Sequence, residues 1–310
     1  MATRDSVMGI MFLFQTTFGI LGNYSLYHYI FFYFKGCRVR FTDLILKHLS
    51  VANSLVIVFK GVPHTMEAFG LKIFLSDFGC KFVLYILRVG RGVSMSSTCL
   101  LSLFQAMTIS LRKSRWPELK AQALKRTGPY IILCWILYML VNIIFLLYIT
   151  SKSNKNITKE KNLGYCSGIG HNKITQSLLA ALLTSPDVVC LGLMLWASIY
   201  MVFILYRHKQ QVQHIHRNNL SPRSSPETRA TQTILALVSN FVFFYTLSSL
   251  LSIYLALSDN PSWWLLHTTA LSALCFPTVS PFLILSHDSR VSRLCSACCR
   301  RNTQFPEVFR

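Results

Sequence analysis

Acidic side chains are scarce in this chain: 11 Asp and Glu stand against 31 Lys and Arg in 310 residues, and only 14% of residues are charged at all. So few charges leave no segment polar enough to clothe a soluble domain. With 52% apolar residues and a positive mean hydropathy, the composition is that of a chain lying mostly in lipid. The chain also has no HExxH, GxSxG or phosphate-loop glycine pattern, so no nucleophile with its base and no metal-ligand spacing marks an enzyme, and no cofactor is implied. The last apolar stretch contains no lysine, which excludes a retinal-type Schiff base there. Paired repeats with matching broken helices, expected of a transporter, are missing, as is a filter-like motif. A small-solute transporter or channel remains the second functional class; ligand-evoked, GTP-dependent signalling without solute flux would separate it from a receptor.

What the chain does have is seven apolar stretches, at about 7–34, 41–66, 77–111, 127–150, 175–206, 229–257 and 262–285. About 20 apolar residues cross the hydrocarbon as a helix, so the expected fold is all-α, a single seven-transmembrane helix bundle followed by a cytoplasmic tail at 287–310. The first stretch is too long for the apolar core of a cleaved signal peptide and is taken as a span. The net charge of +20 is a topological signal, not a nucleic-acid footprint: nineteen Lys and Arg fall in 35–40, 112–126, 207–229 and the tail. That bias puts these segments in the cytoplasm and the N-terminus outside, in a multi-pass plasma-membrane protein whose basic loops also attract lipid headgroups; five lysines in loop 151–174 run against the bias.

The third stretch organises the rest, because Arg88 and Arg91 lie inside it. An arginine near the bilayer centre costs roughly 3 kcal/mol on insertion scales, so such residues normally face a bundle interior. Leu84, Leu87, Arg88, Arg91 and Met95 follow the three-and-four rhythm of one helix face. The fifth stretch carries Asp187 next to Pro186, of the sign needed to pair with either arginine; bonding to a backbone or hydroxyl group is the alternative. Leu87, Arg88, Arg91, Asp187, Tyr254 and His267 are the candidate ligand-binding set, the arginines drawing an anionic or acceptor-bearing ligand. A permanent internal charge network is the competing reading. Lys60, Gly61 and Pro63 interrupt the second stretch and predict a kink. Asp43 and Lys47 are one turn apart and predict an ion pair, while Asn23 and His28 are read as helix packing. The aromatics Phe241, Phe243, Phe244, Tyr245 and Tyr254 are read mainly as core, with a pocket lining as the alternative.

Cys80 opens the third stretch on the outer side and Cys166 lies in the long outer loop. The other eight cysteines fall in spans, the first cytoplasmic loop or the tail, so a Cys80–Cys166 disulfide is expected, two free thiols being the alternative. Asn156-Ile157-Thr158 in that loop is an N-glycosylation acceptor. Cys295, Cys298 and Cys299 sit among arginines just past the last span, as palmitoylation candidates; a zinc site is the weaker reading because no second ligand pair accompanies them. Arg112, Lys113, Arg115 and Lys209, in the basic segments 112–126 and 207–229, are candidate contacts for a signalling partner, with lipid attraction as the alternative. The second of these segments, with Ser221-Pro222 and Ser225-Pro226, also reads as a solvated linker.

Seven spans with an outer N-terminus and this staple are similar to a G-protein-coupled receptor. The runs His48-Leu49-Ser50-Val51-Ala52-Asn53, Phe78-Gly79-Cys80-Lys81, Arg88-Val89-Gly90-Arg91-Gly92, Phe104-Gln105-Ala106, Ser114-Arg115-Trp116 and Phe276-Pro277-Thr278-Val279-Ser280-Pro281-Phe282 narrow it. In this order they resemble vomeronasal type-1 receptors across nearly the whole chain, with bitter-taste receptors the nearest confusable group. Phe104-Gln105-Ala106 stands where most rhodopsin-like receptors carry an acidic-Arg-aromatic triplet, and Leu111 stands where the family commonly has proline. The resemblance implies detection of small pheromone molecules and coupling to a heterotrimeric G protein of the Gi/Go class.

Overall fold

The computed structural model describes residues 2–34, 41–71, 77–112, 117–146, 149–150, 161–162, 167–168, 173–215, 226–257 and 262–287. Each apolar stretch is helical: α1 (Ala2–Phe34), α2 (Phe41–Val56), α3 (Val62–Ala68), α4 (Asp77–Arg112), α5 (Pro117–Leu146), α6 (Lys173–Ile215), α7 (Pro226–Leu257) and α8 (Trp263–His287). A π-helical turn, Ile57–Gly61, joins α2 to α3 into one crossing, so there are seven crossings. Six have helices long and apolar enough to span a membrane; the apolar part of the other, in α5, is the shorter Gly128–Ile143.

The kink expected at Lys60-Gly61-Pro63 takes the form of that π turn. Pro63 lies in the first turn of α3, where its missing N–H costs little, and the wider turn before it absorbs the mismatch. Gly61 is required there: a Cβ at this position would overlap the Thr16 side chain of α1. Between α5 and α6 three two-residue strands, β1 (Ile149–Thr150), β2 (Lys161–Asn162) and β3 (Ser167–Gly168), form an antiparallel sheet in the order β1-β3-β2. β1 packs on α4, which sets this small sheet against the bundle.

α4 is the most buried crossing and touches α2, α5, α6 and α7. Its small polar residues Ser96, Thr98 and Ser102 are buried and donate to carbonyls of their own helix, Val93 O, Ser94 O and Cys99 O, at 3.1, 2.9 and 2.8 Å. Helices can therefore approach closely without stranding a polar group. Side-chain bonds pin the neighbours: Ser94 Oγ donates to Asn53 Oδ1 at 2.6 Å, and Asn53 Nδ2 donates to Ser280 Oγ at 2.9 Å, tying α4, α2 and α8. Asn23, read as packing, donates to Pro277 O at 2.9 Å and Gly19 O at 2.8 Å. His28 lies exposed against Tyr24 and Phe32. The expected Asp43–Lys47 ion pair does not form among the described residues; Lys47 Nζ lies over the Tyr27 ring of α1, 5.2 Å from its centroid.

Most buried apolar side chains gather in one cluster toward the end of the bundle opposite Cys80, around Ile45, Leu49, Met95, Met201 and Leu237. A smaller one, with Phe12, Ile57 and Leu274, joins α1, α2 and α8. The aromatics of α7 divide: Phe241 is buried against Phe276, edge to face at 4.6 Å between centroids, while Phe243 is exposed.

Candidate functional site

Between these clusters, four crossings converge on a polar chain of contacts. Asp187 of α6 is half-buried and accepts two phenolic hydrogen bonds, from Tyr138 of α5 to Oδ1 at 3.3 Å and from Tyr245 of α7 to Oδ2 at 3.2 Å. Arg91 of α4 places its guanidinium over the Tyr245 ring, 4.8 Å from the centroid. Arg88, one turn earlier, donates from Nε to Asn142 Oδ1 at 2.9 Å, and Asn142 Nδ2 donates to the Tyr138 carbonyl at 2.7 Å.

The expected direct pair between Asp187 and an arginine is thus replaced, among the described residues, by tyrosine bridges. The carboxylate keeps polar partners, each hydrogen bond to a charged group being worth about 1.5–3 kcal/mol. Arg91 interacts with the electron-rich ring face, worth about 0.5–2 kcal/mol depending on desolvation. Tyr138 reaches Asp187 because α4 has glycine where the ring crosses it. A Cβ on Gly92 would overlap that ring.

Three candidates lie elsewhere. Leu87 packs with Phe12, Val56, Ile57 and Leu274, on the α1–α2–α8 side of α4. At about 100° per residue it is turned away from Arg88, one position on, and it enters a different interface. His267 is buried against Phe12, at 5.8 Å between ring centroids, and Trp263, at 4.4 Å; Phe12 stacks in turn on His64 at 5.3 Å. Tyr254 is 63% exposed. Nine residues after Tyr245, it falls on the opposite side of α7.

Cys80 is buried and disulfide-bonded. Cys166, immediately before β3, lies outside the described residues, as do Asn156, Lys113, Arg115, Cys295, Cys298 and Cys299. Arg112 ends α4 and Lys209 lies in the last part of α6, and neither side chain is described.

Tyr138, Asn142, Tyr245 and Gly92 were not singled out as site residues from sequence. A tyrosine in an apolar run reads as core until its hydroxyl partner is known, and Gly92 shows only as part of the Arg88–Gly92 run. At the far end of the bundle Gln105 of α4 donates to Thr231 Oγ1 of α7 at 3.1 Å, both buried, and Tyr200 of α6 donates to Ser110 Oγ of α4 at 3.0 Å. Gln105 belongs to the run that departs from the rhodopsin-like triplet.

A model of the vomeronasal organ pheromone receptor family matches residues 6–297. The chain belongs to the vomeronasal type-1 receptor family. It is 59% identical to human vomeronasal type-1 receptor 2 over 96% of this chain and 76% of the relative. It is likewise 59% identical to human vomeronasal type-1 receptor 4, over 96% of this chain and 99% of the relative. Human vomeronasal type-1 receptor 3 is 56% identical along the full length of both chains. Membership makes the protein a receptor, not an enzyme, with the seven-span architecture of G-protein-coupled receptors in the plasma membrane.

Proposed function

We propose that this vomeronasal receptor senses small pheromone molecules in a cavity bordered by Arg88, Arg91, Asp187, Tyr138 and Tyr245, and activates a heterotrimeric G protein of the Gi/Go class. The observation that carries this reading is the double tie on Tyr245: its hydroxyl bonds Asp187 of α6 and its ring takes Arg91 of α4. A ligand competing for either charge frees α7 at that level. It shifts the equilibrium only by as much as it binds the freed arrangement better. About 21 Å along α7, at 1.5 Å per residue, the Gln105–Thr231 bond holds α7 to α4. Its release by a rigid-body swing of α7 exposes the G-protein surface. Arg112, Lys113, Arg115 and Lys209 are the proposed contacts there.

This reading puts the N-terminus outside, Cys80 and loop 151–174 on the extracellular face, and the Gln105 end with the 287–310 tail in the cytoplasm, one transmembrane domain in all. A disulfide from Cys80 to Cys166, a glycan on Asn156 and palmitoylation at Cys295, Cys298 or Cys299 fit those sides. The position of Cys166 beside β3, whose partner strand β1 packs on α4, supports the pairing. The test is ligand-evoked nucleotide exchange on a Gi/Go protein in membranes bearing the receptor, across a panel of volatile and steroidal candidates. Arg91→Ala and Tyr245→Phe should shift potency at least tenfold at equal surface expression. Unchanged potency in both removes the site.

A further inference from the structure

Three thiols lie next to the polar chain, and the proposed function uses none of them. Cys99 of α4 is buried, Cys134 of α5 and Cys190 of α6 are half-buried, and all three are free. Helix register brings them to one region. Tyr138 of α5 crosses Gly92 of α4 and bonds Asp187 of α6 at 3.3 Å. Cys190 is three residues past Asp187, Cys134 four residues before Tyr138 and Cys99 seven residues past Gly92, spacings that return to the same helix face. At 1.5 Å per residue the thiols stand about 4.5 to 10.5 Å along the bundle from that crossing, all toward the end opposite Cys80. Cys99 belongs to the main buried cluster, and Cys190 packs against it.

Hydrogen bonds link two of the thiols to the polar chain in one direction. Tyr138 donates its one proton to Asp187 Oδ1, so its oxygen accepts from the Cys190 thiol that it touches. Cys190 has only that proton to give, so in its contact with Cys99 the Cys99 thiol is the donor. Cys134 is held apart. Ser96 Oγ donates to Val93 O at 3.1 Å and accepts from the Cys134 thiol. No group of three side chains among the described residues could hold a metal ion, so Cys99 and Cys190 stand as a pair.

We propose that Cys99 and Cys190 are a redox-modified pair, which a small neutral hydroperoxide converts to a disulfide clamping α4 to α6. Helix packing carries this reading, and it does not depend on the receptor function. The thiolate is the nucleophile, and Asp187, acting through Tyr138, is a base placed behind the Cys190 proton. The Cys190 sulfur attacks one peroxide oxygen and the O–O bond breaks. The departing alkoxide takes up the thiol proton as an alcohol, and Cys190 becomes a sulfenic acid. The Cys99 sulfur then attacks the Cys190 sulfur, the S–O bond breaks, and hydroxide leaves as water with the Cys99 proton. Two thiols are oxidised, and one hydroperoxide is reduced to an alcohol and a water. Sulfurs already in contact have about 2 Å left to close.

The test is peptide mass spectrometry of the purified full chain in phosphatidylcholine nanodiscs, treated with millimolar tert-butyl hydroperoxide, then alkylated under denaturing conditions and digested. The expected product is the Cys99 peptide joined to the Cys190 peptide with loss of two hydrogens. It should form more than about tenfold faster than Cys275, a half-buried free thiol of α8, is oxidised. Oxidation should raise the unfolding temperature of the wild-type chain by several degrees and leave that of Cys190→Ser unmoved. Cys99→Ser should leave Cys190 as a sulfenic acid trapped by dimedone, whereas Cys190→Ser should leave Cys99 unlabelled. Cys99→Ala serves if Cys99→Ser does not fold. Cys134→Ser should link as fast as the wild type. No linked peptide, links formed mainly through Cys134, equal oxidation of Cys275, or a link that leaves the unfolding temperature unchanged overturns the pair.

Discussion

Gly92→Ala places a methyl group where the Tyr138 ring now crosses α4. The added Cβ would lie 2.7 Å from Tyr138 Cγ and overlap the ring carbons beyond it, so the ring must retreat by roughly 1 Å to regain van der Waals contact. The Tyr138–Asp187 bond, already 3.3 Å long, does not survive that movement. Overpacking costs about 1–3 kcal/mol and the lost bond to a charged acceptor about 1.5–3, against about 1 kcal/mol gained in helix propensity, for a net loss of about 2–5 kcal/mol. In a chain of this size that lowers the unfolding temperature by about 4–10 °C. The assay is thermal unfolding of the detergent-purified receptor, read through the buried Cys99 thiol as it becomes reactive. Tyr138→Phe separates the two contributions, since it removes the bond without the overlap. Adding Gly92→Ala to Tyr138→Phe should then cost only the overpacking part. Gly128→Ala and Gly192→Ala, which meet nothing within 4 Å, should be neutral or slightly stabilising. A Gly92→Ala receptor that melts with the wild type, or no more easily than Gly128→Ala, would refute the packing argument and with it the route by which Tyr138 reaches Asp187.

Other outcomes follow from the same contacts. Gln105→Ala removes the bond to Thr231 and should raise ligand-independent nucleotide exchange severalfold, measured in membranes at matched receptor density; unchanged basal exchange means that the bond does not restrain α7. Asn53→Leu leaves Ser94 and Ser280 without their shared partner and should cost about 2–4 kcal/mol, visible as lost surface expression, which Asn53→Asp would restore in part. Cys80→Ser and Cys166→Ser should each abolish the mobility change on reduction and trap the protein inside the cell; normal trafficking of both variants would dismiss that pairing. Asn156→Gln should remove an endoglycosidase-sensitive mass shift, whose absence in the wild type would place loop 151–174 elsewhere.

Much of the bundle was legible because long apolar runs have few alternatives, and because Arg88, Arg91 and Asp187 are conspicuous in them. Partners were harder to read. A charge pair is the simplest guess when opposite signs appear in two spans, and nothing in the sequence says that tyrosine hydroxyls on α5 and α7 reach the carboxylate first. Helix rhythm also misled at fine angle: Leu87 shares a broad face with Arg88 yet enters the Phe12 cluster. Tyr254 shares its residue type with Tyr245, but half a turn of phase moves it away. His267 is a titratable group near the end of a span, but its surroundings are the aromatic packing of Phe12 and Trp263. Lys60 was visible as an interruption of an apolar run, but only the π turn shows how the helix continues past it.

The proposed function requires that Arg91 open onto a water-filled, ligand-accessible interior shared with Tyr245 and Asp187. Arg91→Cys, treated from outside the cell with a membrane-impermeant methanethiosulfonate, tests it most directly. Labelling above the wild-type background, slowed by any ligand that activates the receptor, is the expected result. A cysteine there that ignores the impermeant reagent but reacts with a lipid-soluble maleimide would place that side of α4 against the bilayer and contradict the account.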